Sequence, residues 1–345
     1  MEERPDGRSP LSRPASPSER AVPVSPLEVP VLAIVCPGQG AQKPGFLTPW
    51  RELPGVDELL GSLSEPAGID LLRHGTESDA DTIRDTAVAQ PLLVAAGIVA
   101  AAQLRAEADL PAADVLAGHS VGELTAAALA GVLSDEDAMR LVAVRSRAMA
   151  TAAAAEPTSM AAVVGGTRED VLAAIERHGL HPANINSAAQ VVAAGSAEQI
   201  AALAEDGPAK ARVIPLQVAG AFHTPYMAAA REELAAFAPS LSPADPSVPL
   251  VSNAGGEVVT SGARYLDLIV TQVASPVDWQ ACMADFRERG VTGLLEVAPA
   301  GTLTGLAKRE LKGIALANLN TPEDLEAARA LVREHAGLVA TDEEA

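Results

Sequence analysis

The chain is short of cysteine, aromatic side chains and basic charge, and each shortage removes a class of function. Two cysteines among 345 residues, Cys36 and Cys282, make neither a disulfide framework nor a metal-ligand cluster. They fit a reducing, cytoplasmic setting in which both are buried small apolar residues. Aromatic residues make up 2%, too few for base-stacking platforms. Lysine and arginine number 25 against 45 acidic residues, giving a formal net charge of -20. That balance disfavours a general nucleic-acid or anionic-membrane surface and leaves room for a local basic patch. The longest uncharged stretch, Thr86 to Leu104, is alanine-rich and interrupted by Gln90, Pro91 and Gln103, so it predicts a buried helix rather than a membrane span.

What the chain does have is a 48% hydrophobic composition and enough length for a real core, in one large domain or two smaller ones. Residues 1–29 are rich in proline and serine with no apolar segment, and are expected to form a disordered leader. An acidic tail is expected at 338–345. The core starts at Val31-Leu-Ala-Ile-Val35, a short β-branched run suited to a buried parallel strand. From there to about Ala155 strands alternate with helices, including Val115 to Ala117 as strand and Gly122 to Ala130 as helix closed by Gly131, which implies an α/β sheet.

A different rhythm follows. Strand at Met160 to Val164, helix at Arg168 to Arg177, strands at Ala183 to Asn186 and Gln190 to Ala194, helix at Ala197 to Glu205 and strand at Arg212 to Leu216 give the order β-α-β-β-α-β of a ferredoxin-like unit. The expected fold is therefore α/β: an α/β-hydrolase-like large subdomain with a parallel sheet, built from 30–156 and 219–337, plus an inserted ferredoxin-like small subdomain at 157–218. Further strands are expected at Pro249 to Val251 and Leu294 to Val297, and a last helix from Thr321-Pro322 to about His335.

The sharpest chemical signal is Gly118-His119-Ser120-Val121-Gly122, a G-x-S-x-G match between an expected strand and an expected helix. Glycines on both sides let the turn tighten and expose the serine hydroxyl, with the Val121 N–H available to an oxyanion. The bland alternative is a helix-capping serine beside a structural turn. A serine nucleophile needs a base. Of six histidines, His119 would point away across the turn, and His74, His178, His181 and His335 lie in polar surroundings and are expected to be exposed. His223, in Gly220-Ala-Phe-His223 before a proline-initiated helix, is either that base or a strand-end core histidine. Pro37-Gly-Gln-Gly-Ala-Gln42 after the first strand could supply a second oxyanion donor from Gln39. It is neither a P-loop nor a dinucleotide fingerprint.

Taken in order, Pro37-Gly-Gln-Gly-Ala-Gln42, Ala89-Gln-Pro91, Gly118-His-Ser-Val-Gly-Glu123, Arg145 through Met149, Asn184-Ile-Asn-Ser187 ahead of Gln190-Val-Val192, Gly220-Ala-Phe-His223, Gln272, Pro276-Val-Asp-Trp279 and Gly301-Thr-Leu-Thr-Gly305 resemble the malonyl-CoA:acyl carrier protein transacylases, the acyltransferase family of fatty acid and polyketide synthesis. The resemblance spans essentially residues 30–335. It implies Ser120 as nucleophile, His223 as general base oriented by an acceptor near Gln272, and the N–H groups of Gln39 and Val121 as oxyanion hole. It further implies Arg145 as partner of the malonyl carboxylate, Gln90 and Met149 as pocket lining, Asn186 as a polar residue near the cleft, and Phe222 as the bulky aromatic of malonyl-selective members. Malonyl-CoA and acyl carrier protein are the implied partners, with no metal or other cofactor, no nucleic acid and no membrane. Ser146, where many relatives carry glycine, and Ala188-Ala189, in place of a Pro-Gly or Ala-Gly pair, depart from the family pattern. A serine thioesterase or hydrolase, or a standalone acyltransferase for a polyketide synthase, are the competing expectations. Lys308, Arg309 and Lys312 form the densest basic cluster and the expected carrier-docking patch.

Overall fold

The computed structural model describes residues 29–107 and 110–337; the expected leader up to residue 28 and the acidic tail lie outside the described residues. The described strands, in chain order, are β1 (Leu32–Cys36), β2 (Val115–Gly118), β3 (Thr158–Gly165), β4 (His181–Ser187), β5 (Gln190–Ser196), β6 (Ala211–Pro215), β7 (Leu250–Val251), β8 (Val258–Val259), β9 (Val277–Asp278), β10 (Gly293–Val297) and β11 (Ala315–Leu319). They form two sheets within a mixed α/β molecule.

The larger sheet has the order β11-β10-β1-β2-β7-β8, parallel throughout except for the antiparallel edge pair β7 and β8. Its strands β1 and β2 carry no polar side chain because both faces are covered. Leu32, Ile34 and Leu116 enter one core, while Ala33, Val35, Val115 and Ala117 enter a second core with Trp279, Met283 and Phe286. The period-two alternation of side chains thus divides one short run between two helical layers. The helix Thr86–Arg105 lies in the first layer, capped by the Asp85 carboxylate on the Ala87 N–H, with most of its length buried. It is long and apolar enough to cross a membrane, and here it packs inside the fold.

The smaller sheet has the order β6-β3-β5-β4-β9. Its first four strands are mutually antiparallel and carry the helices Arg168–Arg177 and Ala197–Glu205 between them. Ala161, Val163, Val191 and Ala193 pack on those helices, through Val171, Ile175, Ile200 and Leu203, while Met160, Ala162, Val192 and Ala194 face the main body. The fifth strand is a departure from expectation. β9 comes from beyond residue 218 and pairs parallel to β4, Asn184 opposite Val277 and Ile185 opposite Asp278, so the inserted segment does not complete its own sheet. Two other differences concern the ends. β11 was not anticipated, and the last helix proper is Leu325–His335, with Pro322–Asp324 forming a 3-10 turn before it.

Candidate active site

Three neighbouring parallel strands of the large sheet end at one place. β1 runs into Pro37-Gly38-Gln39, β2 into His119-Ser120 and β7 into Ser252-Asn253, the carboxyl edge at which α/β sheets collect their sites. Ser120 sits in the left-handed region, φ 54°, between β2 and the helix Gly122–Leu129. Both flanking glycines are sterically required. A Cβ on Gly118 would lie 2.0 Å from the Gly122 carbonyl carbon, and one on Gly122 would lie 2.2 Å from the Cys36 oxygen. The turn can be this tight only with glycine at both positions.

His223, also at positive φ (60°), is 4% exposed and brings Nε2 to 2.7 Å from Ser120 Oγ. Its Nδ1–H donates to the main-chain carbonyl of Gln272 at 2.9 Å, leaving the Nε2 lone pair for the serine proton. Burial, then the Arg145 charge, push the imidazole pKa down to about 3, so the ring is the free base at neutral pH. The N–H groups of Gln39 and Val121 have no partner among the described residues. The Gln39 side chain is anchored to the Arg84 carbonyl.

Arg145 overturns what its helix position suggests. An arginine on the helix Asp135–Ala155 would ordinarily be solvated, yet this one is fully buried. Nη1 donates to Gln90 Oε1 (2.6 Å), and Nη2 to Gln272 Oε1 (2.8 Å) and Ser120 Oγ (3.3 Å), while Nε has no partner among the described residues. Burial lowers its pKa to about 10, which leaves it charged at neutral pH. Gln90 also donates to Met149 Sδ at 3.5 Å.

These groups underlie a cleft of about 870 Å³ between the two sheets, lined by Gln39, Gln90, Ser120, Met149, Asn186, Phe222 and His223 among others. Asn186 Oδ1 is 2.9 Å from His119 Nε2. Arg84, Arg212 and Arg309 reach its walls, so an acidic protein presents three cations at this opening. Of the other histidines, His74 is buried rather than exposed, its Nδ1 2.9 Å from Ser78 Oγ, and it does not line this cleft. The Ser146 hydroxyl, buried, turns back to the Ala143 carbonyl on its own helix. No group of three or more His, Cys, Asp or Glu able to hold a metal ion occurs among the described residues.

Two residues that sequence reasoning did not single out complete the arrangement. Asn253, fully buried, accepts the Ser120 N–H at 2.8 Å and donates to the Gly118 carbonyl at 2.7 Å, clamping the serine turn. Glu123, also fully buried, accepts from the Asn253 N–H. Asn253 follows a two-residue strand and carried no local signal; Glu123 was visible only as the end of the serine motif.

The acyl transferase domain family matches residues 34–339. The chain belongs to that family. Within it, the malonyl CoA-acyl carrier protein transacylase of Mycobacterium tuberculosis is 48% identical over 297 residues, 86% of this chain and 98% of the relative. The Escherichia coli transacylase of the same name is 33% identical over 303 residues, again 86% and 98%. Among solved acyl transferase structures, MCAT from Mycobacterium tuberculosis superposes with a TM-score of 0.84 at 47% identity, covering 87% of this chain and 99% of that one. A malonyl-transacylase solved in complex with its type II PKS acyl-carrier protein gives 0.82 at 29% identity, covering 87% and 99%.

Proposed function

We propose that this acyltransferase moves a malonyl group from malonyl-CoA to the phosphopantetheine thiol of acyl carrier protein, through a malonyl ester on Ser120. The observation that carries the reading is the 2.7 Å contact of Ser120 Oγ with a histidine whose other nitrogen is held by the Gln272 carbonyl, beside a buried, charged Arg145.

Ser120 Oγ attacks the thioester carbonyl while its proton passes to His223 Nε2. The tetrahedral oxyanion takes hydrogen bonds from the Gln39 and Val121 N–H groups. Its collapse breaks the C–S bond, and coenzyme A leaves with the proton from His223. The carrier thiol then enters by the reverse path, giving its proton to His223 and freeing Ser120. Arg145 pairs with the free carboxylate of the malonyl group, because a carboxylate entering a water-poor cleft needs a hydrogen-bonding cation. Gln90, Met149 and Asn186 line the acyl pocket, and Phe222 crowds its α-carbon. In this reading residues 30–156 and 219–337 are an α/β-hydrolase-like catalytic subdomain and residues 157–218 a ferredoxin-like one. The order β6-β3-β5-β4 supports the latter. Two free, buried cysteines suit a cytoplasmic enzyme.

The test is incubation with radiolabelled malonyl-CoA, with and without purified carrier protein. Wild type should hold label stably until carrier protein removes it, and Ser120→Ala should hold none. Label released as free malonate at the rate of acylation would make the protein a hydrolase instead.

A further inference from the structure

Glu123 is a fully buried carboxylate with no cation in direct contact among the described residues, yet it sits at the end of a hydrogen-bond chain that starts at Arg145. Arg145 Nη2 donates to Gln272 Oε1 at 2.8 Å, and Gln272 Nε2 donates to Glu123 Oε2 at 2.5 Å. The other carboxylate oxygen accepts the Asn253 N–H at 2.7 Å. This chain has one direction. A guanidinium can only donate, so the Gln272 amide must turn its oxygen to Arg145 and its nitrogen away, and what faces that nitrogen must accept. An ionised carboxylate does so at both oxygens. A carboxylic acid or a carboxamide at the same place would set a donor against either the Gln272 nitrogen or the Asn253 N–H. Gln272 Nε2 also donates to the Ser120 carbonyl at 3.1 Å and to Asn253 Oδ1 at 3.0 Å, so the amide would keep its sense but lose the one charged acceptor on its nitrogen.

We propose that Glu123 is a positioning residue for malonyl recognition: its carboxylate is the charged acceptor that draws the Gln272 amide into place, and thereby steadies the oxygen that aligns Arg145 at the acyl pocket. This rests on the malonyl reading of the cleft. It also gives Arg145 a counter-charge one amide away while no acyl group is bound, which keeps the guanidinium tolerable in the interior without a direct ion pair that malonyl would have to break.

The consequence is a dependence on pH that is independent of the catalytic base. Burial pushes the Glu123 pKa up to about 7, opposed by the Asn253 N–H, Ser252, the Arg145 charge and the Gln272 amide. The other ionisable groups around it do not titrate there. Tyr265 on the helix Gly262–Gln272, Cys282 on the helix Trp279–Glu288 and Cys36 on β1 are all pushed up by burial and stay neutral. Arg145 stays charged, His119 is pushed down by burial, and His223 is pushed down to about 3. As pH falls through about 7 the carboxylate is protonated, the chain loses its charged anchor, and malonyl recognition weakens.

The experiment measures serine acylation by malonyl-CoA and by acetyl-CoA between about pH 5 and 9 in wild type and Glu123→Gln. Expected is an acid limb near pH 7 in the wild-type malonyl kcat/KM. The glutamine variant should lack that limb and show a malonyl-to-acetyl kcat/KM ratio lowered by about tenfold or more, chiefly through KM. A ratio within about twofold of wild type, or an unchanged limb in the variant, overturns the proposal. A variant that does not fold leaves the wild-type enzyme decisive. Infrared spectra with isotope-labelled glutamate should reveal a buried carboxyl gaining its proton with the midpoint of the malonyl limb, and no such protonation overturns the proposal as well. Failure of the underlying reading looks different, since malonyl-CoA would then not acylate wild type at any pH, and the proposal would fall with it.

Discussion

In the malonyl reading proposed above selectivity rests on a buried arginine, and it is the hardest residue to read from sequence. Nothing in the helix Asp135–Ala155 marks Arg145 as interior; only its family resemblance did, because burial is decided by Gln90 and Gln272, 55 and 127 residues away in sequence. Ser120, by contrast, was legible from its own neighbours, since the steric demand for glycine at 118 and 122 is written into the motif itself. Asn253 was not, because it acts by holding main-chain groups, a role that no residue pattern after a strand announces. Two outcomes are expected at this scale. Arg145→Ala should weaken malonyl transfer by more than about 2 kcal/mol, the scale for removing one partner of a buried charge pair, while acetyl transfer is depressed less. Comparison of kcat/KM for the two donors in the folded variant checks this, and retained malonyl preference would point to another arginine. Phe222, buried and lining the cleft, should exclude an α-methyl group. Phe222→Ser should raise methylmalonyl use relative to malonyl by about 1 to 3 kcal/mol, read as a ratio of kcat/KM.

At the scale of elements, the strands that could be read ahead were those buried on both faces. β1 is a continuous apolar run for that reason, and β10 is one interrupted only by Glu296, whose buried carboxylate accepts from the Gly301, Leu303 and Thr304 N–H groups. β11, Ala-Leu-Ala-Asn-Leu, lies at the sheet edge with most of its positions only partly buried, so neither β-branched residues nor alternation announced it. β8 and β9 are two residues long and carry no pattern at all. The helices of the inserted segment were plain because each begins with its own cap. The Thr167 hydroxyl accepts from the Asp170 N–H, and Ser196 forms a capping box with Gln199. The junction of β2 with the helix Gly122–Leu129 is the tightest contact in the site. Gly122→Ala should therefore cost about 3 kcal/mol or push the strand ends apart, lowering both the urea midpoint and serine acylation. Normal stability and activity in that variant would mean that the turn can relax around a methyl group.

Across the whole molecule, an enzyme of net charge -20 has to receive an acidic carrier protein without repelling it. Arg309 lines the cleft and Lys308 and Lys312 stand exposed beside it, on and just after the helix Thr302–Glu310. Reversing these three charges should slow transfer to carrier protein at low salt while acylation by malonyl-CoA is retained; equal loss in both half-reactions would rule the patch out as a dock. The cleft they border lies between the two sheets, and β9, an edge strand of the smaller one, stands close in sequence to the support of the base. It pairs with β4 through Asn184 and Ile185, and it begins five residues after Gln272, whose carbonyl holds His223. A jaw hinged at the inserted segment would have to tear those rungs or drag the Gln272 carbonyl with it. Opening the cleft at the inserted segment is thus coupled to the carbonyl that holds His223, and a widened mouth and an aligned imidazole exclude one another.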